Sequence, residues 1–195
     1  MTIKKLIGAA ALTGVMATAN AASLSLVYTG DNEVDTDGAI LALAGDSLTF
    51  DLIMDFSGDG EATLGGGFDV NFDAMGLEFA EYVSAGLGEQ SFGRDPILED
   101  GRLFNGAFGA FGGLTGPDLV ATITFTVIGD AGDYQLGPST TTGDSGPFVS
   151  ADTFLPQTPP DAIGATVRVV PVPAAVWFML SGLGALVGFG RRKAA

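Results

Sequence analysis

The chain has 195 residues, enough for one domain of average size, and its composition excludes several kinds of chemistry. It contains no histidine and no cysteine, which excludes disulfides, a cysteine nucleophile, a Ser-His-Asp triad and zinc held by imidazole or thiolate. The net charge of −15 argues against nucleic acid as a partner, because its phosphates would be repelled.

Residues 1–21 have the three parts of a secretory signal peptide. Two lysines precede an uncharged apolar run that extends to Ala19. The segment then ends in a small-x-small pattern formed by Ala19 and Ala21, which is typical of a signal peptidase site. The mature chain is therefore predicted to begin at Ala22. The alternative is a short buried N-terminal helix.

The body of the chain consists of short segments in which apolar and polar residues alternate, separated by joints rich in glycine and aspartate. This period of two, with many β-branched and aromatic residues, predicts an all-β fold, an antiparallel β-sandwich. The predicted strands are 23–28, 47–54, 68–72, 77–83, 119–128 and 165–169. We place the sandwich domain at 22–156, and a final strand with a stalk towards the membrane at 157–169.

The alternation also predicts which side chains face the core. The predicted inward-facing residues of three strands are Leu48, Phe50, Leu52 and Met54; Phe68, Val70 and Phe72; and Leu119, Ala121, Ile123, Phe125 and Val127. The facing is less clean in 77–83, where Leu77 and Phe79 are followed by Glu81 on the same side.

Three stretches of the body resemble cohesin-like domains in their order and spacing. They are 45–52 (GDSLTFDL), 66–73 (GGFDVNFD) followed by 77–79, and 119–127 followed by 132–136. The resemblance implies a nine-stranded jelly-roll sandwich related to carbohydrate-binding modules. Cohesins of cellulosomes bind dockerins, so the resemblance also implies a binding habit, without naming a ligand for this chain.

A glycine-rich stretch, 86–116, has two interpretations. It contains spaced aromatic and basic residues: Phe92, Arg94, Arg102, Phe104, Phe108 and Phe111. One interpretation is one or two poorly patterned core strands with flexible loops. The other is an aromatic platform on which sugar rings stack.

The densest acidic segment, 31–38, has some of the features of a calcium loop. Acidic side chains occupy alternate positions before a turn-forming glycine: Asp31, Glu33, Asp35 and Asp37. The closing acid of an EF-hand would fall on Ala44, so the segment is not an EF-hand. Calcium held in another geometry and a solvated acidic hairpin turn both remain open, and no other cofactor is expected.

Without histidine and cysteine, only a carboxylate-based reaction or one that uses Ser, Lys or Tyr remains open. Carboxylates could catalyse glycoside hydrolysis as a facing pair. The candidates are Asp51, Asp69, Asp73 and Glu78. Any acid-rich surface offers such pairs, and Asp69 and Asp73 are expected to bind turn amides or to face water. The sequence therefore predicts a protein that is not an enzyme.

The C-terminal residues 170–195 also have three parts. An extended motif opens the segment: Val170, Pro171, Val172, Pro173, Ala174 and Ala175. The uncharged run 174–190 is about 25 Å long as a helix, at the short end for a membrane span. A basic group follows: Arg191, Arg192 and Lys193. These cations would stay in the cytoplasm and leave the acidic body outside.

This arrangement resembles the PEP-CTERM sorting signals of Gram-negative bacteria, and the six-residue motif resembles their VPLPA-type variant. Val172 stands where the commonest form has glutamate, so the cleaved bond is not fixed. The resemblance implies processing by an exosortase-type membrane protease and a location at the cell surface or in the extracellular matrix. The alternative is a single-span anchor that is never processed.

Together these features predict an exported, non-catalytic β-sandwich that contacts another surface protein or exopolysaccharide, in a biofilm or exopolysaccharide context. The alternatives are an extracellular carbohydrate-active enzyme and a calcium-stabilised carbohydrate-binding module.

Overall fold

A computed structural model describes residues 22–58, 60–88 and 90–171 of the chain, and the regular structure in these ranges is β-strand throughout. The strands in chain order are β1 (Ser23–Tyr28), β2 (Ile40–Ala42), β3 (Ser47–Asp55), β4 (Thr63–Phe72), β5 (Leu77–Ser84), β6 (Ser91–Arg94), β7 (Ile97–Glu99), β8 (Arg102–Leu114), β9 (Asp118–Val127), β10 (Gly132–Thr140), β11 (Val149–Ser150), β12 (Asp161–Ile163) and β13 (Ala165–Val169). Each of the six strands predicted from alternation corresponds to one of these elements.

The strands form two sheets. Sheet A has the order β12-β1-β3-β9-β5, and sheet B has the order β2-β13-β10-β4-β8-β6, with β11 also paired to β4 and β7 to β8. Neighbouring strands are antiparallel except in the pairs β1–β12 and β2–β13. The predicted all-β sandwich is confirmed.

The core lies between the sheets and is built from their inward-facing side chains. All four predicted inward residues of β3, from Leu48 to Met54, have no exposed surface. Phe125 of sheet A lies 5.0 Å from Phe72 of sheet B, centroid to centroid, and 6.2 Å from Phe50. Burial of each such side chain contributes about 1.5–3 kcal/mol, so the alternation determines where the two sheets meet.

Strand β9 departs from the predicted facing at one residue. Leu52 pairs with Ala121 but Ile53 pairs with Leu119, so Val120 is the extra residue of a β-bulge. The bulge turns Val120 into the core and leaves Leu119 38% exposed, so the prediction for Leu119 is wrong. From Ala121 to Val127 the predicted alternation is correct.

A second bulge explains the unclear pattern of β5. Its pairing with β9 shifts between Phe79 and Glu81, which leaves Ala80 without a cross-strand partner. Beyond the shift Tyr82 packs against the core, while Glu81 is exposed. The structure therefore has Tyr82, and not Glu81, on the inner side.

The glycine-rich stretch 86–116 contains β6, β7 and the 13-residue β8, so the interpretation as poorly patterned core strands is correct for β8. The pairing of β8 with β4 shifts near Asn105, whose φ is +61°. One residue further, Gly106 packs beneath the ring of Phe68, where a Cβ atom would approach the ring to 2.6 Å. The bulge and the glycines conceal the period of two in this strand.

Residues 157–169 are part of the sandwich and do not form the expected stalk. The N–H of Gln157 donates to the Phe148 carbonyl at 2.8 Å, and Pro160 is buried. Strand β12 then pairs with β1 in sheet A, and β13 lies between β10 and β2 in sheet B. The Pro-rich composition of this segment reflects a tight surface connection between strands of the two sheets.

The two ends of the described chain lie at opposite poles of the sandwich. At the N-terminal pole, the Ala22 carbonyl accepts a 2.7 Å hydrogen bond from the Asp161 N–H. At the C-terminal pole, the Val170 N–H donates to the Ala42 carbonyl at 2.9 Å. Strand β3 connects the two poles, because its end pairs with the start of β1 and its start pairs with the end of β9. A short turn leads from β9 into β10, and the start of β10 pairs with the end of β13.

Candidate functional site

The acidic segment considered for calcium lies at the C-terminal pole and contacts a cation of the chain itself. Asp35 Oδ1 accepts hydrogen bonds of 2.9 Å from the N–H groups of Asp37 and Ala39, which closes the turn. Asp35 Oδ2 is hydrogen-bonded to the Arg168 guanidinium in β13, and Asp37 lies 3.8 Å from the same group. Two of the four predicted ligands therefore share one arginine.

Arg168 also joins this turn to β10. Its Nε and Nη2 donate to the two oxygens of Asp133 at 2.8 and 2.9 Å. The hydrogen bonds lower the pKa of Asp133 below its usual value, and the positive charge of Arg168 acts in the same direction. We call the group Asp35, Asp37, Asp133 and Arg168 the Arg168 clasp.

The other two predicted calcium ligands, Asp31 and Glu33, are exposed. Across the described ranges, no three or more acidic side chains are grouped so that they could hold a metal ion. The turn interpretation accounts for the positions of Asp35 and Asp37, and calcium binding stays a prediction.

The predicted aromatic platform is divided between the core and the surface. Phe108 is in the core, and the guanidinium of Arg102 covers the ring of Phe104 at 4.2 Å from its centroid. Phe92 and Phe111 are exposed on the outer face of sheet B, with ring centroids 5.1 Å apart and an interplanar angle of 45°. The structure thus brings two of the four rings together at the surface, as a wedge and not as a flat platform.

The four candidate catalytic carboxylates do not form one site. Asp51 and Glu78 belong to sheet A, Asp69 to sheet B, and Asp73 to the turn between β4 and β5. The Oδ1 of Asp73 accepts the Met75 N–H at 3.0 Å, as expected for a turn residue. The positions of these four carboxylates therefore do not bring a facing pair together.

Two of these carboxylates make specific contacts within the strands. Asp51 Oδ1 accepts a 2.9 Å hydrogen bond from the Thr122 hydroxyl on the outer side of sheet A. Asp69 is 3% exposed, and its Oδ1 accepts the Asn105 N–H at 2.7 Å. Asp69 therefore binds a bulge amide inside sheet B and does not face water.

The charges are distributed unequally between the two sheets. The strands of sheet A contain six acidic residues and no lysine or arginine: Asp51, Asp55, Glu78, Glu81, Asp118 and Asp161. The strands of sheet B contain three acidic residues, Asp69, Glu99 and Asp133, and three arginines, Arg94, Arg102 and Arg168. The strands of sheet A therefore carry a net negative charge, whereas those of sheet B have equal numbers of acidic residues and arginines.

A cavity of about 480 Å³ at the N-terminal pole was not predicted from the sequence. Its polar lining consists of Glu61, Ser150, Thr153, Gln157, Thr158 and Asp161. Part of this lining comes from the Pro-rich segment 156–160. Its composition was the only feature of the sequence that drew attention to this region, and it was interpreted as the start of a stalk. The other polar residues come from a turn much earlier in the chain, from β11 and the turn after it, and from β12, so no local spacing indicates the cavity.

Most residues of the two processing signals lie outside the described part of the chain. This applies to Ala19 and Ala21, to Val172, Pro173, Ala174 and Ala175, to Arg191, Arg192 and Lys193, and to the predicted membrane helix 174–190. Val170 and Pro171 are described: Val170 is paired with Ala42, and Pro171 is exposed. In the ranges that the structure covers, no helix has the length and apolar character needed to cross a bilayer.

The sheet orders and the core define an all-β sandwich, and the solved structures similar to it are cohesin modules. Nine of the thirteen described strands have four or more residues. The other four, β2, β7, β11 and β12, have only two or three residues.

Three solved structures have this fold. A cohesin module of a family 33 glycoside hydrolase from Clostridium perfringens has a TM-score of 0.53 and 10% identity, over 77% of this chain and 99% of that one. A type III cohesin from a cell-surface anchoring scaffoldin of Ruminococcus flavefaciens has a TM-score of 0.53 and 13% identity, over 77% and 88%. A non-cellulosomal cohesin from the archaeon Archaeoglobus fulgidus has a TM-score of 0.50 and 14% identity, over 81% and 97%.

At these identities the similarity concerns the fold alone. No model of a known protein family matches the sequence, and no curated protein is significantly similar to it.

Proposed function

We propose that this chain is an exported cell-surface or extracellular-matrix protein of a Gram-negative bacterium, with a non-catalytic sandwich that contacts another surface protein or exopolysaccharide. The signal peptide 1–21 directs export, and the PEP-CTERM-like segment 170–195 directs sorting and processing by an exosortase-type protease. The setting is a biofilm or exopolysaccharide matrix.

The observation that carries this proposal is the position of the sandwich between the two signals. Ala22, the first residue after the expected signal peptidase cut, is bonded through its carbonyl to the Asp161 N–H of β12. Val170, the first residue of the sorting motif, is bonded through its N–H to the Ala42 carbonyl. Cleavage after Ala21 and at any bond within or beyond the motif 170–175 would therefore remove none of the described strands, which extend from Ser23 to Val169.

The fold supports the binding part of the proposal. Cohesins are binding modules, and those with the same fold occur in a cell-surface anchoring scaffoldin and attached to a glycoside hydrolase. The four carboxylates first considered for catalysis lie in two sheets and a turn, which supports binding over turnover.

The sorting claim is tested by replacing Arg191, Arg192 and Lys193 together with glutamine in the native host. The expected result is a larger mass and mislocalisation of the variant, because the positive end that fixes the membrane orientation is lost. The matched control combines Arg191→Lys, Arg192→Lys and Lys193→Arg, which keeps all three positive charges, and it should be processed normally. An unchanged mature mass and location of the glutamine variant would contradict the proposal.

A further inference from the structure

We propose that the cavity at the N-terminal pole binds an uncharged glycan. The inference deepens the proposed function and rests on it for the extracellular setting. The cavity volume of about 480 Å³ lies within the range of about 300–1,000 Å³ usual for small-ligand sites. The polar side chains of its lining, a nearby exposed aromatic residue and the position of the cavity at the pole opposite Pro171 each agree with this class of ligand.

The first argument is an unsatisfied acceptor at the cavity. Gln157 lines the cavity, and its Oε1 is buried with no hydrogen-bond partner in the described part of the chain. The side chain is held by Nε2, which donates to the Ala62 carbonyl at 3.4 Å, and the backbone by the bond to Phe148. A buried acceptor without a donor is unfavourable, and the 3.4 Å bond that holds the side chain is long. A rotation of the Gln157 side chain into the cavity would bring Oε1 within reach of a ligand hydroxyl.

The second argument is the charge of the lining. Glu61 and Asp161 contribute carboxylates, which accept hydrogen bonds and repel anions. The remaining polar groups of the lining are the side chains of Ser150, Thr153 and Thr158, in addition to Gln157. A lining with this excess of acceptors fits a ligand rich in hydroxyl donors and excludes a uronic acid or a sulfated sugar.

The third argument is an exposed aromatic residue in the turn that supplies part of the lining. Phe154 lies between two lining residues, Thr153 and Pro156, and is 72% exposed. Its φ of +58° is unusual for a bulky side chain. The conformation is fixed by Ser150, whose carbonyl accepts the Phe154 N–H at 3.0 Å and whose N–H donates to the Leu155 carbonyl at 2.9 Å. An exposed ring in the turn that supplies Thr153 to the lining offers a stacking surface for the C–H face of a sugar.

The fourth argument is the extent of the surface around the cavity. A second cavity of about 300 Å³, lined by Thr140, Thr141 and Thr142, shares Pro159 with the first. Both lie at the pole opposite Pro171, where the described chain leaves the sandwich towards the predicted anchor. A glycan of several units can therefore follow the two cavities on the side that faces away from the membrane.

The test uses the purified full-length chain in a polyoxyethylene detergent, because sugar-based detergents would compete. Binding of dextran, cellohexaose, mannan and alginate is measured by isothermal titration calorimetry and affinity electrophoresis. The test variants are Phe154→Ala and Gln157→Ala. The matched control is Phe111→Ala, since Phe111 is 74% exposed on the outer face of sheet B. The melting midpoint of each variant verifies that it is folded.

The expected result is binding of at least one uncharged glycan, weakened tenfold or more by Phe154→Ala and by Gln157→Ala and unchanged by Phe111→Ala. The inference is overturned if none of the uncharged glycans binds, if alginate binds more tightly, or if the control loses as much affinity. The mature mass from the native host tests the proposed function separately, because processing does not depend on this cavity.

Discussion

The carboxylate of Asp69 and the backbone N–H of Asn105 form a 2.7 Å hydrogen bond inside sheet B, where β8 bulges against β4. The two residues are 3% and 4% exposed. The side chain of Asn105 continues the contact, because its Oδ1 accepts the Ser145 N–H at 2.9 Å. One acidic side chain thus stabilises both the bulge and the loop that follows β10.

The first prediction concerns this buried bond. Asp69→Ala should lower the free energy of unfolding by about 1–3 kcal/mol, because it leaves the Asn105 N–H without an acceptor. Asp69→Asn keeps an oxygen at the same place and should lose less. Urea unfolding with a common m-value measures both, and equal losses for the two variants would argue against the hydrogen bond as the cause.

The sequence predicts the strands that follow a strict period of two. In β3 the alternation alone identifies every core residue from Leu48 to Met54, because one side chain in two is buried. It fails at Leu119 and Glu81, where a bulge adds one residue to a strand and reverses the facing. A bulge is set by the partner strand, so a single segment of sequence does not indicate it.

The candidate sites are less predictable because their partners are distant in sequence. The spacing of Asp35 and Asp37 is typical of a calcium loop, but the cation beside them, Arg168, is 133 residues from Asp35. The cavity likewise combines Glu61 with Gln157 and Asp161. Composition indicated the loop that forms part of the cavity. The pairing of β11 with β4 and the bond from Gln157 to the Ala62 carbonyl bring this loop next to Glu61.

The second prediction concerns a close approach of backbone and ring. A Cβ atom at Gly66 would lie 2.7 Å from Cγ and 2.8 Å from Cα of Phe148, whose ring packs against Phe56 and Phe108. Gly66→Ala should therefore cost about 1–3 kcal/mol through overpacking. Gly112→Ala is the matched control because nothing lies within 4 Å of its Cβ position. Thermal unfolding compares them, and equal midpoints would contradict the packing argument.

The third prediction concerns the pH dependence of the Arg168 clasp. In the folded protein the pKa of Asp133 is held below its ordinary value of about 3.9 by hydrogen bonds from Arg168. The contribution of this contact to stability is therefore present above that value and is lost as the pH falls through the lower folded pKa. Arg168→Gln should lower the melting midpoint at pH 7, and the difference from the native protein should narrow towards pH 3.

The control for this prediction is Arg168→Lys. It keeps the positive charge but cannot make the two parallel bonds to Asp133, so it should restore only part of the lost stability. Because the clasp is partly exposed, 1 M salt should also reduce the difference between native protein and Arg168→Gln. A difference that is the same at pH 3 and pH 7 would exclude the ion pair as its source.

The last prediction separates calcium binding from the turn. Both carboxylate oxygens of Asp35 already accept hydrogen bonds, one from two backbone N–H groups and the other from Arg168. These bonds stabilise the turn, and Asp35 would have to break some of them to bind calcium. The melting midpoint should therefore be the same in 5 mM EDTA and in 5 mM calcium chloride, since an ion bound only by the folded state would raise it. Asp35→Asn should lower the midpoint and Asp31→Asn should leave it unchanged, because Asp31 is exposed. A rise of several degrees in calcium that both variants abolish would establish the calcium loop instead.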